Sequence, residues 1–375
     1  MRGDSLTIAI GSLAAALPDA VNVDLGPTHP MRAGLITLVA KVDKGVLTSV
    51  NVAPGGLQRG AEKLFEVRDY RQGLSLANRH DWQAPIFGEI LLASVVEESL
   101  GVTVPPRAAW LRVLLAEHFR IGSHLAYLVH LEDGRAADAS LAGVARAAIL
   151  EQNLVLTGNR VHPMVVRLGG LSANVPNDWL QAERGLTKTI REVSNALRLR
   201  LEHLAERLGG LAVTTPSVVS GHGLTGPVSA AAGIDLDLRR GDPRIDPRLS
   251  ELLGRGTQSA GDALARFRVL IDQLDESCDL IDAVADGLPE GPVDVRLPKV
   301  VRVPEGDFHG AIEAPWGHAG MLLVSRGQKT PWRLKLRTPG FANLSAWEAV
   351  LPGTPLELLA DAVRSLPALG GDVTK

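Results

Sequence analysis

Residues 57–82 read L-Q-R-G-A-E-K-L-F-E-V-R-D-Y-R-Q-G-L-S-L-A-N-R-H-D-W. Turn residues Pro54, Gly55 and Gly56 precede this stretch, and a charged helix start follows them. Arg59, Glu62, Lys63, Glu66, Arg68, Asp69, Arg71, Arg79 and Asp81 are interleaved with Leu57, Leu64, Phe65, Tyr70, Leu74 and Leu76. One reading is an amphipathic surface helix. The other is a set of half-buried ion pairs, which hold two layers together or prepare a site.

Upstream, Ile36, Leu38, Ala40 and Val42 alternate with Leu35, Thr37, Val39, Lys41 and Asp43, the period of a strand. Asp43-Lys44-Gly45 supplies a turn and residues 46–52 return as a second strand. Pro27 and Pro30 stiffen the loop 26–34 that leads into this hairpin. Downstream, residues 68–104 read as helix with Pro85 interrupting, and Pro105-Pro106-Arg107 signals a new helix start. Leu111, Leu114, His118, Ile121, Leu125 and Leu128 follow at spacings of 3 and 4, a seam for packing against other helices.

Glu132-Asp133-Gly134 breaks that helix, and an alanine-rich helical pattern resumes over 136–156. A long helix is predicted over about 179–208, with Val193, Leu197, Leu201, Leu204 and Leu208 on one stripe and Gly209-Gly210 at its end. Residues 211–256 read mostly as loop, and 259–286 as a further long helix. Cys278 lies on the apolar stripe of that helix with Phe267, Leu270, Ile271, Leu274 and Ile281, so it reads as a core thiol. Short strands follow Pro289. Alternating strand–helix–strand patterning is absent, which argues against a doubly wound sheet.

The chain has 375 residues, enough for two or three structural units, and is 45% hydrophobic, enough for a large core. A net charge of -3 gives no electrostatic ground for a nucleic-acid partner. One cysteine excludes a disulfide framework, a cysteine-held iron–sulfur cluster within the chain and a four-cysteine zinc site. No apolar run is long enough for a membrane span. Residues 6–21 are apolar, but Asp4 precedes them and only Arg2 is basic, so a signal peptide is not expected. No Walker motif or strand-to-helix G-x-G-x-x-G is present, so NADH is not expected to bind here. His118 and His124 are six apart, which places them on different helical faces, and no metal site is expected.

The run L-Q-R-G-A-E-K-L-F-E-V-R is similar to the signature of the D-type (49 kDa) subunit of proton-pumping NADH-quinone oxidoreductase (respiratory complex I). That family is related to the large subunit of nickel–iron hydrogenases. Its pattern is L-H-R-G-x-E-K-L-x-E-x-R/K, and Gln58 is the one departure. The loop at His29 resembles G-P-x-H-P-x-x-H-G, with Ala33 where the second His stands. Asn78-Arg79-His80-Asp81-Trp82 resembles D-R-L/M-D-Y, and His162 with Arg167-Leu168-Gly169-Gly170 resembles H-x-x-Y/V-I-R-x-G-G. Residues 223–227 are G-L-T-G-P, and 233–239 keep Asp237 and Arg239 of S-G-x-x-x-D-x-R, while Ala230 replaces an Arg. Residues 313–320 resemble E-A-P-x-G-E-x-G, residues 331–341 resemble P-Y-R followed by K-I-R-x-P-x-F, and Gly371-Asp372-Val373 falls near G-D/E-V-D-R. The two cysteine pairs that bind metal in hydrogenases are absent.

The resemblance covers residues 23–375 and implies an α+β fold. A lead-in (1–22) is followed by a small N-terminal β unit (23–67), a central long-helix bundle (68–286) and a C-terminal α+β unit (287–375). It implies a peripheral-arm subunit on the cytoplasmic side of the cell membrane, partnered by the iron–sulfur (B-type) subunit, the C-type subunit and the membrane subunits. Electrons would pass from the terminal 4Fe–4S cluster of the iron–sulfur subunit to quinone, with proton translocation, while NADH binds a distant subunit. Arg79 and His162 match positions beside that cluster. A fixed cation or an imidazole there raises the reduction potential and couples electron arrival to proton uptake.

His29, Trp82 and Asp133 match the quinone-facing positions, with Glu132 the alternative to Asp133 across an ambiguous gap. Ala33 donates no hydrogen bond and the Trp82 indole offers one N–H, so the quinone side departs from the family. Two other readings stay open. The chain could serve a related membrane complex with another acceptor, or act as a scaffold that docks partner subunits.

Overall fold

The computed structural model describes residues 5–11, 17, 19–25, 35–131, 140–254, 256–368 and 370–375. The N-terminal sheet holds β1 (Ser5–Ile10), β2 (Val21–Asn22), β3 (Ile36–Asp43) and β4 (Val46–Pro54) in the order β2-β1-β3-β4. β3 and β4 form the predicted hairpin. Lys44 (φ 50°) and Gly45 (φ 78°) both turn left-handed, the two-residue geometry whose twist matches the flanking strands. Ile36, Leu38, Ala40 and Val42 are buried, as their alternation requires. The sequence reading of this unit starts at Val23, and the structure extends it. Ser5–Ile10 pairs antiparallel along β3, setting Ile8 opposite Ala40 and Ile10 opposite Leu38.

The helical body comprises α1 (Ala61–Glu66), α2 (Tyr70–His80), α3 (Pro85–Ser99), α4 (Pro106–Leu128), α5 (Leu141–Thr157), α6 (Asn177–His203) and α7 (Ala263–Gly287). Side chains define several starts: Asp69 accepts from the Gln72 N–H, Ser140 from Gly143 and Asp262 from Ala265. Pro85 does not kink a helix. It is the first residue of α3, where its missing N–H costs nothing. α7 packs along both α4 and α6, and α5 bridges α4 and α6. The α4 seam is buried as its spacing predicts, and His118 within it bonds Glu183 (2.7 Å) and Asn153 (3.0 Å). Cys278 is fully buried in α7.

The stretch 211–256 is less irregular than its composition suggests. It contains short helices Pro216–His222, Pro227–Ala231 and Pro247–Ser250, each begun by its proline. A small hairpin of β5 (Val166–Arg167) and β6 (Gly170–Leu171) lies between α5 and α6. The C-terminal part carries an antiparallel meander of β7 (Gly306–Ala314), β8 (Gly317–Ser325) and β9 (Arg333–Arg337), against which α3 packs. The protein is thus a mixed helix-and-sheet fold with small sheets around long helices.

Candidate functional site

The stretch 57–82 resolves as interlayer ion pairs. Glu62 of α1 accepts from the Leu336 N–H (2.9 Å) and pairs with Lys335 and Arg333, while Glu66 pairs with Lys63 and Arg333. α1 is therefore tied across to β9. Arg59 does more. Its guanidinium donates to the carbonyls of Arg79 (3.0 Å), His80 and Gly371 (2.9 Å), and sits 5.3 Å from the centre of the Trp82 ring. One cation thus straps the end of α2 to the C-terminal segment, a fork geometry that guanidinium suits.

At the end of α2, Arg79 is exposed. It donates to the Ser75 carbonyl (3.2 Å) and reaches the Met164 sulfur (3.5 Å). Glu66 and Asp81 are engaged elsewhere, Glu66 as above and Asp81 with the Gln83 N–H (3.1 Å). His162 faces the same corner. Its backbone N–H donates to Asn159 Oδ1 (2.8 Å), and its Nδ1 is buried with no hydrogen-bond partner among the described residues. Burial, then the charge of Arg79, lowers its pKa. The structure therefore brings Arg79 and His162 together, although they are far apart in the chain.

Two carboxylates of α3, eight residues apart and so on one helical face, hold this corner in place. Glu89 accepts from the Met164 N–H (3.1 Å), the Val166 N–H (2.9 Å) and the Asn78 amide. Burial raises it to about 7 against the lowering effect of those donors. Glu97 accepts from the Gly169 N–H (2.7 Å) and pairs at both oxygens with Arg112, whose guanidinium also caps the carbonyls of Arg167 and Gly170. The sequence reasoning missed both. The available signal was two glutamates inside the otherwise apolar run P-I-F-G-E-I-L-L-A-S-V-V-E.

Trp82 occupies the other side of the α2 end. Its indole lies against Gly371, where an added Cβ would sit 3.0 Å from the ring. Beside it are three buried titratable groups. Burial pushes His80 down to about 4, helped by Arg59 and Lys375. Burial raises Asp81 to about 6. Asp372 is driven well above the usual carboxylate range by burial and then by the charge of Asp81. Its Oδ2 accepts from the Gly340 N–H (2.6 Å), and its Oδ1 is buried without a partner among the described residues. The other two predicted quinone-facing residues, His29 and Asp133, and the alternative Glu132, lie outside the described residues.

Asp237 and Arg239 belong to a separate interior network. Arg239 pairs with Asp237 (2.6 Å), Glu276 (2.5 Å) and Glu117 (3.2 Å), and Glu117 also pairs with Arg120 (2.9 Å). This pins the 235–240 loop between α4 and α7. Among the described residues, no group of three or more His, Cys, Asp or Glu side chains could hold a metal ion. No helix among them is long and apolar enough to cross a membrane.

A family model described as respiratory-chain NADH dehydrogenase, 49 Kd subunit, matches residues 134–302 and 296–374. The chain belongs to that family. It is 40% identical over 381 residues to the first D-type subunit of NADH-quinone oxidoreductase from Streptomyces coelicolor, covering 98% of each chain. It is 38% identical over 378 residues to the second D-type subunit of the same enzyme from Salinispora tropica, covering 99% of this chain and 97% of that one. Among solved structures it resembles a chain of the membrane-bound sulfane sulfur reductase, an archaeal respiratory membrane complex. The TM-score is 0.87 at 27% identity, with 99% of each chain covered. The chain is thus a 49 kDa-type subunit of a respiratory NADH-quinone oxidoreductase-like complex, one part of a multi-subunit oxidoreductase.

Proposed function

We propose that this protein accepts the terminal 4Fe–4S cluster of an iron–sulfur (B-type) partner against the Arg79–His162 corner. At the Trp82 side of the same helix end it offers the place where quinone is reduced. The observation that carries this reading is the Arg79 guanidinium, exposed and, among the described residues, engaged by no carboxylate and set beside an imidazole whose Nδ1 has no partner there. An uncompensated cation favours a neighbouring cluster in its reduced, more negative state, and the imidazole can take a proton as the electron arrives. Trp82, with His29 and Asp133, forms the quinone-facing side in this proposal. The C-type subunit and the membrane subunits complete the assembly on the cytoplasmic face of the membrane, NADH is oxidised in a distant subunit, and quinone reduction drives proton translocation.

The test is redox titration of the cluster in the assembled complex. Arg79→Met should make the cluster harder to reduce, and His162→Met should flatten the pH dependence of its potential. Both variants titrating like the wild type would reduce this corner to a structural element. A second reading has its own support. Ala33 and Trp82 depart from the family on the quinone side, and the fold matches a sulfane sulfur reductase chain closely. A different terminal acceptor would then take the electrons, and assay of the assembled complex with quinone against polysulfide separates the two.

A further inference from the structure

We propose that Asp81 and Asp372 act as one carboxyl pair that stores a transferable proton for the quinone reduced at the Trp82 side. The proposal rests on the quinone reading above and adds to it a proton source. Asp81 ends α2 and Asp372 lies at the far end of the chain, yet Arg59 bonds the carbonyls of both His80 and Gly371 and so straps the two segments together. Gly371 meets the Trp82 ring face. The Asp372 carboxyl is buried, with one oxygen on the Gly340 N–H and the other bare of partners among the described residues. A carboxylate with a bare buried oxygen is costly, whereas a carboxylic acid there carries its proton as a donor.

The charge of Asp81 acts on the buried Asp372 carboxyl and opposes its ionisation, so Asp372 keeps a proton where an isolated aspartate would lose it. Burial raises the proton affinity of Asp81 as well, so neither acid gives up its proton as an exposed aspartate would. The charged and titratable groups facing the pair are Arg59, His80 and Lys375, with Glu62, Lys335 and Arg337 around Lys375. His80 is held neutral and cannot replace the acid near neutral pH. The indole of Trp82 and the methyl of Ala33 supply no comparable proton donor.

Reduction of a quinone to its quinol consumes two electrons, supplied by the partner's iron–sulfur cluster, and two protons. In the proposed step the Asp372 O–H bond breaks and an O–H bond forms at one quinone oxygen. The second oxygen takes its proton from water, and the pair is reprotonated from solvent before the next turnover. The competing explanation is that Asp372 merely pins the C-terminal segment through Gly340.

Asp372→Asn separates the two, because the amide oxygen still accepts from the Gly340 N–H while the ionisable proton is gone. The assembled complex is assayed for quinone turnover against pH and by difference infrared spectroscopy. The wild type should show a carboxylic-acid C=O band that shifts in deuterium oxide and is missing in Asp372→Asn. Turnover of that variant should fall about a hundredfold to ten-thousandfold, the range of lost proton transfer, and lose its alkaline limb. Asp81→Asn should keep the limb but move it to lower pH, because Asp372 then ionises more readily. A wild-type band and pH profile in Asp372→Asn overturn the inference while leaving the quinone reading intact. Should Asp372→Asn fail to assemble, an unmoved limb in Asp81→Asn overturns it instead. A wild-type complex that does not reduce quinone overturns both.

Discussion

Replacing Glu89 with Gln tests how the cluster-facing corner is held. Glu89 is completely buried on α3 and accepts two backbone N–H bonds and one amide bond from the Asn78 and 164–166 segments. Burial raises it from 4.5 to about 7. A raised acid binds more protons folded than unfolded between those two values, so stability falls as pH climbs from about 4.5 to about 7. At about 1.4 kcal/mol per tenfold change in proton affinity, the loss is roughly 3 kcal/mol.

The Gln amide resembles the protonated acid in shape and charge. At pH near 5 the variant should lie within about 1 kcal/mol of the wild type, the net worth of one altered hydrogen bond. Near pH 8 only the wild type carries the ionisation cost, so the difference should move by roughly 3 kcal/mol in favour of Glu89→Gln. Urea unfolding of both full-length chains at the two pH values measures this. A difference that stays constant with pH would refute the reasoning, and would mean that the three donors compensate the buried charge in full.

Two further outcomes follow from geometry. Gly88→Ala should destabilise by about 3 kcal/mol or more, because its Cβ would lie 2.0 Å from the Ala77 carbonyl oxygen where α3 crosses α2; Gly185→Ala, in open space on α6, should stabilise by about 0.5–1 kcal/mol, and equal effects in the two denaturation curves would refute the close crossing. Arg59→Lys should cost about 2 kcal/mol and speed amide hydrogen exchange over 370–375, since one ammonium cannot reach the carbonyls of both His80 and Gly371 while stacking on Trp82; unchanged exchange there would sink the strap.

Periodicity made the long helices legible because each buries a continuous stripe, as on α4 from Leu111 to Leu128 and on α7 from Phe267 to Ile281. The hairpin was legible because Lys44-Gly45 is a strong local turn between alternating strands. Boundaries were less so. The 211–256 stretch hides short proline-started helices, and Ser5–Ile10 joins the N-terminal sheet only by pairing with a strand more than 25 residues later. Arg79, Trp82 and His162 were visible through motif resemblance. Glu89, Glu97 and the role of Arg59 were not, because what they tie down is largely the backbone of distant segments, which carries no residue identity.

The sequence by itself determined the family, the helical seams and the residue types available for chemistry. These are local or motif-borne properties, set by side-chain period and by strings such as R-G-A-E-K-L. Tertiary structure alone decided which charges meet. Whether residues 59–66 form a solvated face or an interlayer tie depended on β9, more than 260 residues away. Whether Arg79 neutralises a carboxylate or stands beside His162 depended on how α3 carries the 164–170 segment. Whether Asp81 and Asp372 are two surface acids or two buried ones depended on Arg59 drawing the C-terminal segment under Trp82. Proton affinity is a property of burial and of charged neighbours in space, and neither is written in the order of residues along the chain.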